Sequence, residues 1–159
     1  MSKIMYANFN GIKNEQHTPD AIAKADLKNG QIVVVGVDEK GHHTAAVPAS
    51  EDECKGQVGF VWNTIDQPEL DNADDYVIKK GRPARVFRFK DGYPVYVSKD
   101  LVSGDASIGK YLVPDEVTYG GLKAAADNAG YVVSILVTEV IVSAQGVIYL
   151  GDVVIGEKA

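Results

Sequence analysis

The apolar positions of this chain fall in short runs rich in β-branched and aromatic residues, separated by Gly, Pro, Asn or Asp. That rhythm predicts strands joined by tight turns. The plainest run is ARVFRFKDGYPVYV, residues 84–97. Asp91-Gly92 suits a two-residue turn with positive φ, so the segment predicts a hairpin in which Arg88 faces Val95 and Phe87 faces Tyr96. Pro94 has no ladder donor and should put the second strand at an edge or make it irregular there. QIVVVGV, residues 31–37, is continuous rather than alternating and predicts a strand covered on both faces. Residues 131–142, joined through SAQG to VIYLGDVVI, predict a long C-terminal hairpin with protein on both faces, and residues 56–65 supply one more strand.

Helical signals are sparse. In TPDAIAKADLKNG, Thr18 stands as an N-cap, Pro19 at the first helical position, Asp20 in the first turn and Gly30 as a C-terminal cap. Ile22 and Leu27, five residues apart, make no apolar stripe, which leaves a turn or loop as the alternative. GLKAAADNAG, residues 121–130, predicts a two-turn helix on its alanines. In the first 16 residues Ile4, Met5, Tyr6, Phe9 and Ile12 are scattered among polar residues without a period. Two readings stay open there: an extended arm that docks on a partner, or a frayed terminus with one edge strand. The expected fold is therefore mainly β. It is a single β-rich domain over residues 17–159, a small barrel or sandwich with one or two short helices, preceded by an N-terminal arm at 1–16.

Composition narrows the function classes. With 22 acidic and 16 basic residues the net charge is −6, which offers phosphate backbones no attractive field and makes nucleic acid an unfavourable partner. The lone Cys54 excludes an internal disulfide, and with three His it cannot build a Cys-rich zinc site. No run approaches the length of a membrane span and the N-terminus lacks the apolar stretch of a signal peptide, so the chain is expected to be soluble and to stay where it is made.

Candidate chemistry is thin. GDASIGKY, residues 104–111, satisfies G-x-x-x-x-G-K, but Tyr111 stands where a phosphate loop needs Ser or Thr and Pro114 stops any following helix. A Gly-bounded turn into a strand is the better reading. Glu51, Asp52 and Glu53, and Asp71, Asp74 and Asp75, lack calcium-loop spacing and read as solvated acidic loops. His42 and His43 are adjacent and would face opposite sides of a strand, while Cys54 sits among carboxylates that raise a thiol pKa. Trp62 with Tyr76, Tyr93, Tyr96, Tyr111 and Tyr119 could form a sugar-stacking platform, or could be ordinary strand and rim residues. The basic group at Arg82, Arg85, Arg88 and Lys90 suits acidic loops of a neighbouring protein. No catalytic residue, metal ligand or cofactor-binding residue is assigned, and the chain is expected not to be an enzyme.

Several stretches together carry a resemblance: a polar N-terminal arm, DLKNGQIVVVG, YVIKKGRPARVFRFKDGYPVYVS, GDASIGKYLVP and the closing GDVVIGE. Over residues 26–155 the chain resembles the small β-rich virion proteins of tailed bacteriophages, in particular capsid decoration (cement) proteins. The likeness is one of rhythm, without a diagnostic motif. It implies a structural protein without cofactor, made in the host cytoplasm. Such a protein binds the outside of an icosahedral shell through the major capsid protein, often as homotrimers, and reinforces it. Ile4, Met5, Tyr6, Phe9, Arg85 and Arg88 are then the expected contact residues. A head-fibre base or tail component is the nearest alternative, and a carbohydrate- or small-ligand-binding β-module the alternative from another class.

Overall fold

A computed structural model describes residues 4–6, 17–65 and 75–156, with backbone alone at 4–6 and 17–20. In chain order the strands are β1 (Ile4–Tyr6), β2 (His17–Ala23), β3 (Leu27–Lys28), β4 (Ile32–Val37) and β5 (His43–Ala46). Helix α1 (Glu51–Lys55) follows, then β6 (Gly59–Val61), β7 (Val77–Ile78), β8 (Pro83–Arg88) and β9 (Pro94–Ser98). A 3-10 turn at Lys99–Leu101 leads into β10 (Val102–Ser103), β11 (Tyr111–Pro114), β12 (Leu122–Ala125), β13 (Val133–Ser143) and β14 (Gly146–Ile155). The fold is mainly β, as expected: β2-β5-β4-β6-β8 close into a barrel, and β1-β9-β14-β13-β11-β12-β10 form an open sheet. β3 and β7 make a separate two-stranded ribbon.

Two apolar cores explain the sequence pattern. The barrel interior holds Ala21, Ala23, Ala45 and Ala84 beside Val33, Val61 and Val86, and Leu27 and Ile78 of the ribbon join it. A five-stranded barrel has little room inside, so alanines point inward where a sandwich would place leucines. The other core lies between barrel and sheet: Ile32, Phe60 and Phe89 meet Val97, Leu112 and Tyr149. β4 feeds both. Ile32 and Val34 turn to the shared core and Val33 and Val35 to the barrel interior, which accounts for an unbroken apolar run.

Local signals were overridden in three places. Residues 18–30 form β2 and β3, not a helix: Ala21 and Ala23 alternate into the barrel, and Pro19 lies in the register shift between Thr18 and Ala21, where a missing N–H is tolerated. Residues 121–130 are likewise not helical, because Leu122–Ala125 pair antiparallel with β11 and parallel with β10. The 84–97 hairpin does not form either. Its turn exists, with the Tyr93 N–H donating to the Lys90 carbonyl (3.2 Å) and Gly92 at φ 76°. β14 captures that turn. Gly92 N–H donates to Val153 O (2.7 Å), Val153 N–H to Tyr93 O (2.9 Å), and Ile155 N–H to Asp91 Oδ1 (2.9 Å). β8 therefore stays in the barrel, with Phe87 opposite Phe60, while β9 crosses to the sheet, with Tyr96 opposite Leu150. Pro94 stands at the first position of β9, where a strand accepts it.

The C-terminal hairpin is present, closed by Ser143 opposite Gly146. Protein covers it only in part: Val133, Ile135 and Val137 are buried, whereas Val142 near the tip is 77% exposed. The observed α-helix, α1, went unread within an acidic loop. Its signature was legible, since Ser50 caps the Glu53 N–H (3.3 Å) and the Glu53 carboxylate accepts from the Ala49 N–H (2.6 Å), a variant of the S-x-x-E capping box.

Candidate functional site

The expected contact residues lie on different sheets. Ile4, Met5 and Tyr6 form β1, an edge strand paired with Val97, Tyr96 and Val95 of β9, and Phe9 lies outside the described residues. Arg85 and Arg88 are exposed on β8 of the barrel. The reading of an edge strand at the N-terminus thus has a position in the fold, and the two arginines form a separate surface.

The densest polar cluster was not singled out from the sequence. It gathers where α1 meets the end of β11, β12 and the start of β13. Asp115, 3% exposed, accepts hydrogen bonds from the Thr118 hydroxyl, the Ser103 hydroxyl (2.7 Å) and the Val117 N–H (2.9 Å). Burial opposes the charged form of Asp115, but these donors outweigh it and hold the carboxyl below its usual pKa. Next to it, Glu116 pairs with Lys123 (2.7 Å) and accepts from the Tyr131 hydroxyl (2.5 Å). Lys123 and Tyr131 hold Glu116 low, and Glu116 in turn raises Lys123. Burial, followed by Glu116, pushes the Tyr131 hydroxyl up. Cys54 on α1 is buried with its Sγ 3.7 Å from the Asp115 carbonyl. Burial, followed by Glu116, Asp115 and Glu53, pushes its thiol up to about 11, the direction the surrounding carboxylates predict.

Each of these groups is engaged by its neighbours, and no described buried side-chain nitrogen or oxygen lacks a partner. The Val132 N–H donates to the Lys55 carbonyl (3.0 Å), so the cluster fastens α1 and the 115–121 loop to the sheet. Only the capping box could have led to it from the sequence; the juxtaposition of Asp115, Lys123 and Tyr131 depends on the pairing of β11 with both β12 and β13. Stability should report Asp115 directly. A depressed folded pKa means its contribution is complete above the unfolded value of about 3.9 and is lost as pH falls through the folded pKa. Asp115→Asn is expected to cost about 1–3 kcal/mol at pH 7. The gap to the parent should narrow below about pH 4 in denaturant titrations; a pH-independent gap would contradict the assignment.

The remaining candidates resolve simply. Residues 104–111 form a turn, with Lys110 N–H on the Ser107 carbonyl (3.0 Å), running into β11 with no helix after it. His42 and His43 are both exposed, and His42 Nδ1 lies 3.2 Å from Asp38 Oδ2. Glu51, Asp52 and Glu53 occupy the first turn of α1; Asp71 and Asp74 lie outside the described residues. Trp62 packs on the shared core and Tyr76 on the barrel core, so they do not build one platform. Among the described residues no three His, Cys, Asp or Glu side chains are grouped to hold a metal ion, and no helix is long and apolar enough to cross a membrane. Comparison of the chain with protein-family models, curated proteins and solved structures finds no match in any of the three.

Proposed function

We propose that this chain is a structural protein of a tailed-phage particle that binds the outer surface of the icosahedral capsid and stabilises it, acting by contact and not by catalysis. One observation carries the reading: large apolar side chains stand outside, on separate projections. Val117 is 82% exposed, Val142 77%, Ile108 66% and Val37 61%, each on a different turn or strand end. Scattered sticky points suit many weak contacts with a repeating surface, where avidity supplies the affinity. The rhythm of short Gly-bounded strands adds the resemblance to decoration proteins. The partner is the major capsid protein, and the net charge of −6 weighs against nucleic acid.

The purified chain should co-sediment with empty shells of the particle and saturate at a fixed number of copies per shell. Deleting residues 1–16, or replacing Arg85 by Glu, should weaken that attachment severalfold while circular dichroism stays that of a β protein. Absence from the shell pellet, together with Trp62 fluorescence changes on adding sugars, would replace this reading by that of a glycan-binding module.

A further inference from the structure

We infer that the outer edge of β13, from Val140 to Val142, pairs with the same edge of a second copy of this chain about a two-fold axis at Ile141. β14 accompanies β13 from Val133 to Ser143, but β11 reaches it only at Ile135 and Leu136. The turn before β11 then takes Val137: its N–H donates to the Lys110 carbonyl (2.8 Å) and its carbonyl accepts from the Gly109 N–H (2.8 Å). Beyond Val137 no described strand lies on that edge.

Hydrogen-bond parity says what the edge presents. A two-residue connection makes Ser143 and Gly146 a hydrogen-bonded pair, so Ile141 with Ile148 and Glu139 with Leu150 bond inward. Val140 and Val142 therefore turn their N–H and C=O groups outward. The register shift between Val137 and Glu139 explains why Val137 also faces out. Natural edges are blunted by Lys, Pro or inward charges. From Thr138 to Ile148 the sole charged residue is Glu139.

A second copy fits this edge better than an arbitrary strand because the edge complements itself. Antiparallel pairing centred on Ile141 sets Val140 against Val142 of the second copy, Ile141 against its equivalent, and Glu139 against Ser143. The outward groups of both copies then meet in register, giving about four new backbone hydrogen bonds. No like charges oppose one another, and Val142, 77% exposed in the single chain, gains an apolar neighbour. An isologous contact of this kind closes as a dimer. It is a separate proposal from the capsid reading, with which it shares Val142 alone, and it is tested on the free protein without shells.

Sedimentation equilibrium of the full chain over about 5–200 μM should show a concentration-dependent dimer, in the micromolar range expected of a small interface. Val142→Lys, at an exposed position that leaves the core intact, should weaken association by roughly tenfold or more, since it places a charge opposite Val140. Ile141→Cys should give a disulfide-linked dimer on mild oxidation, because non-hydrogen-bonded antiparallel partners bring their Cβ atoms within about 4.5–5.5 Å. The parent, whose Cys54 is buried, should give none. A monomer at every concentration, an assembly of any size that survives Val142→Lys, or absence of the Ile141→Cys cross-link would overturn the inference.

Discussion

Phe60→Ala is expected to lower stability by about 3–5 kcal/mol, the usual cost of deleting a large aromatic from a core. Phe60 is 2% exposed and stands opposite Ile32 on one side and Phe87 on the other, within the barrel wall. Its ring stacks on Phe87 with centroids 5.5 Å apart and meets Phe89 at 5.2 Å. It also belongs to the core that holds Val95, Val97 and Tyr149 of the sheet. The ring thus ties the two sheets together, and its loss should be felt by both. Urea unfolding followed by circular dichroism and by Trp62 fluorescence should shift together to lower midpoint. A loss below about 1 kcal/mol would show that the two sheets do not share this core.

Gly151→Ala is expected to cost about 2–3 kcal/mol or to prevent folding, at the upper end of overpacking effects. A Cβ there would stand 2.5 Å from the Leu136 carbonyl oxygen and 2.6 Å from Ile135 Cγ2. Neither can yield easily. β14 is held on one side by β13 and on the other by β9, with Gly151 opposite both Val137 and Val95. The register shift of β13 begins beside the glycine, and an unbranched backbone is what lets the strands approach there. Thermal unfolding should show a fall of several degrees; an unchanged midpoint would mean the strands have slack that their spacing does not suggest.

Both variants probe features the sequence disclosed unevenly. The residues of β4 and of the β13–β14 hairpin are apolar enough that their strands could be read directly; SAQG marked the connection, which the structure shortens to the two residues between Ser143 and Gly146. A small barrel was one of the two architectures the strand rhythm predicts, but its strand β2 was hidden because the interior is lined by alanines. Ala21 and Ala23 read equally well as helix formers, and only pairing of β2 with β5 and β8 decides between the two. Asp91-Gly92 correctly marked a turn, yet a turn signal does not say whether its flanking strands pair with each other or with a third strand. The Asp91 carboxylate on the Ile155 N–H joins residues 64 apart, beyond any local pattern.

The polar cluster failed to show for a related reason. Asp115, Glu116, Lys123 and Tyr131 are individually ordinary, and what makes them a unit is the pairing of β11 with β12, which sets Val113 opposite Lys123, and with β13, which Tyr131 precedes. The S-x-x-E box at Ser50 was a local signal and went unused. Of the contact residues expected from the sequence, Ile4, Met5 and Tyr6 lie in an edge strand of the sheet and Arg85 and Arg88 on the barrel, so a docking face would have to be wide or use one of the two.

The proposed role places the chain on the outside of a shell. Electron cryomicroscopy of capsids prepared with and without the protein tests it most directly. A difference density is expected on the outer surface, repeated at equivalent sites, into which the barrel and the seven-stranded sheet fit. Identical maps from the two preparations, or density confined to the tail, would contradict it.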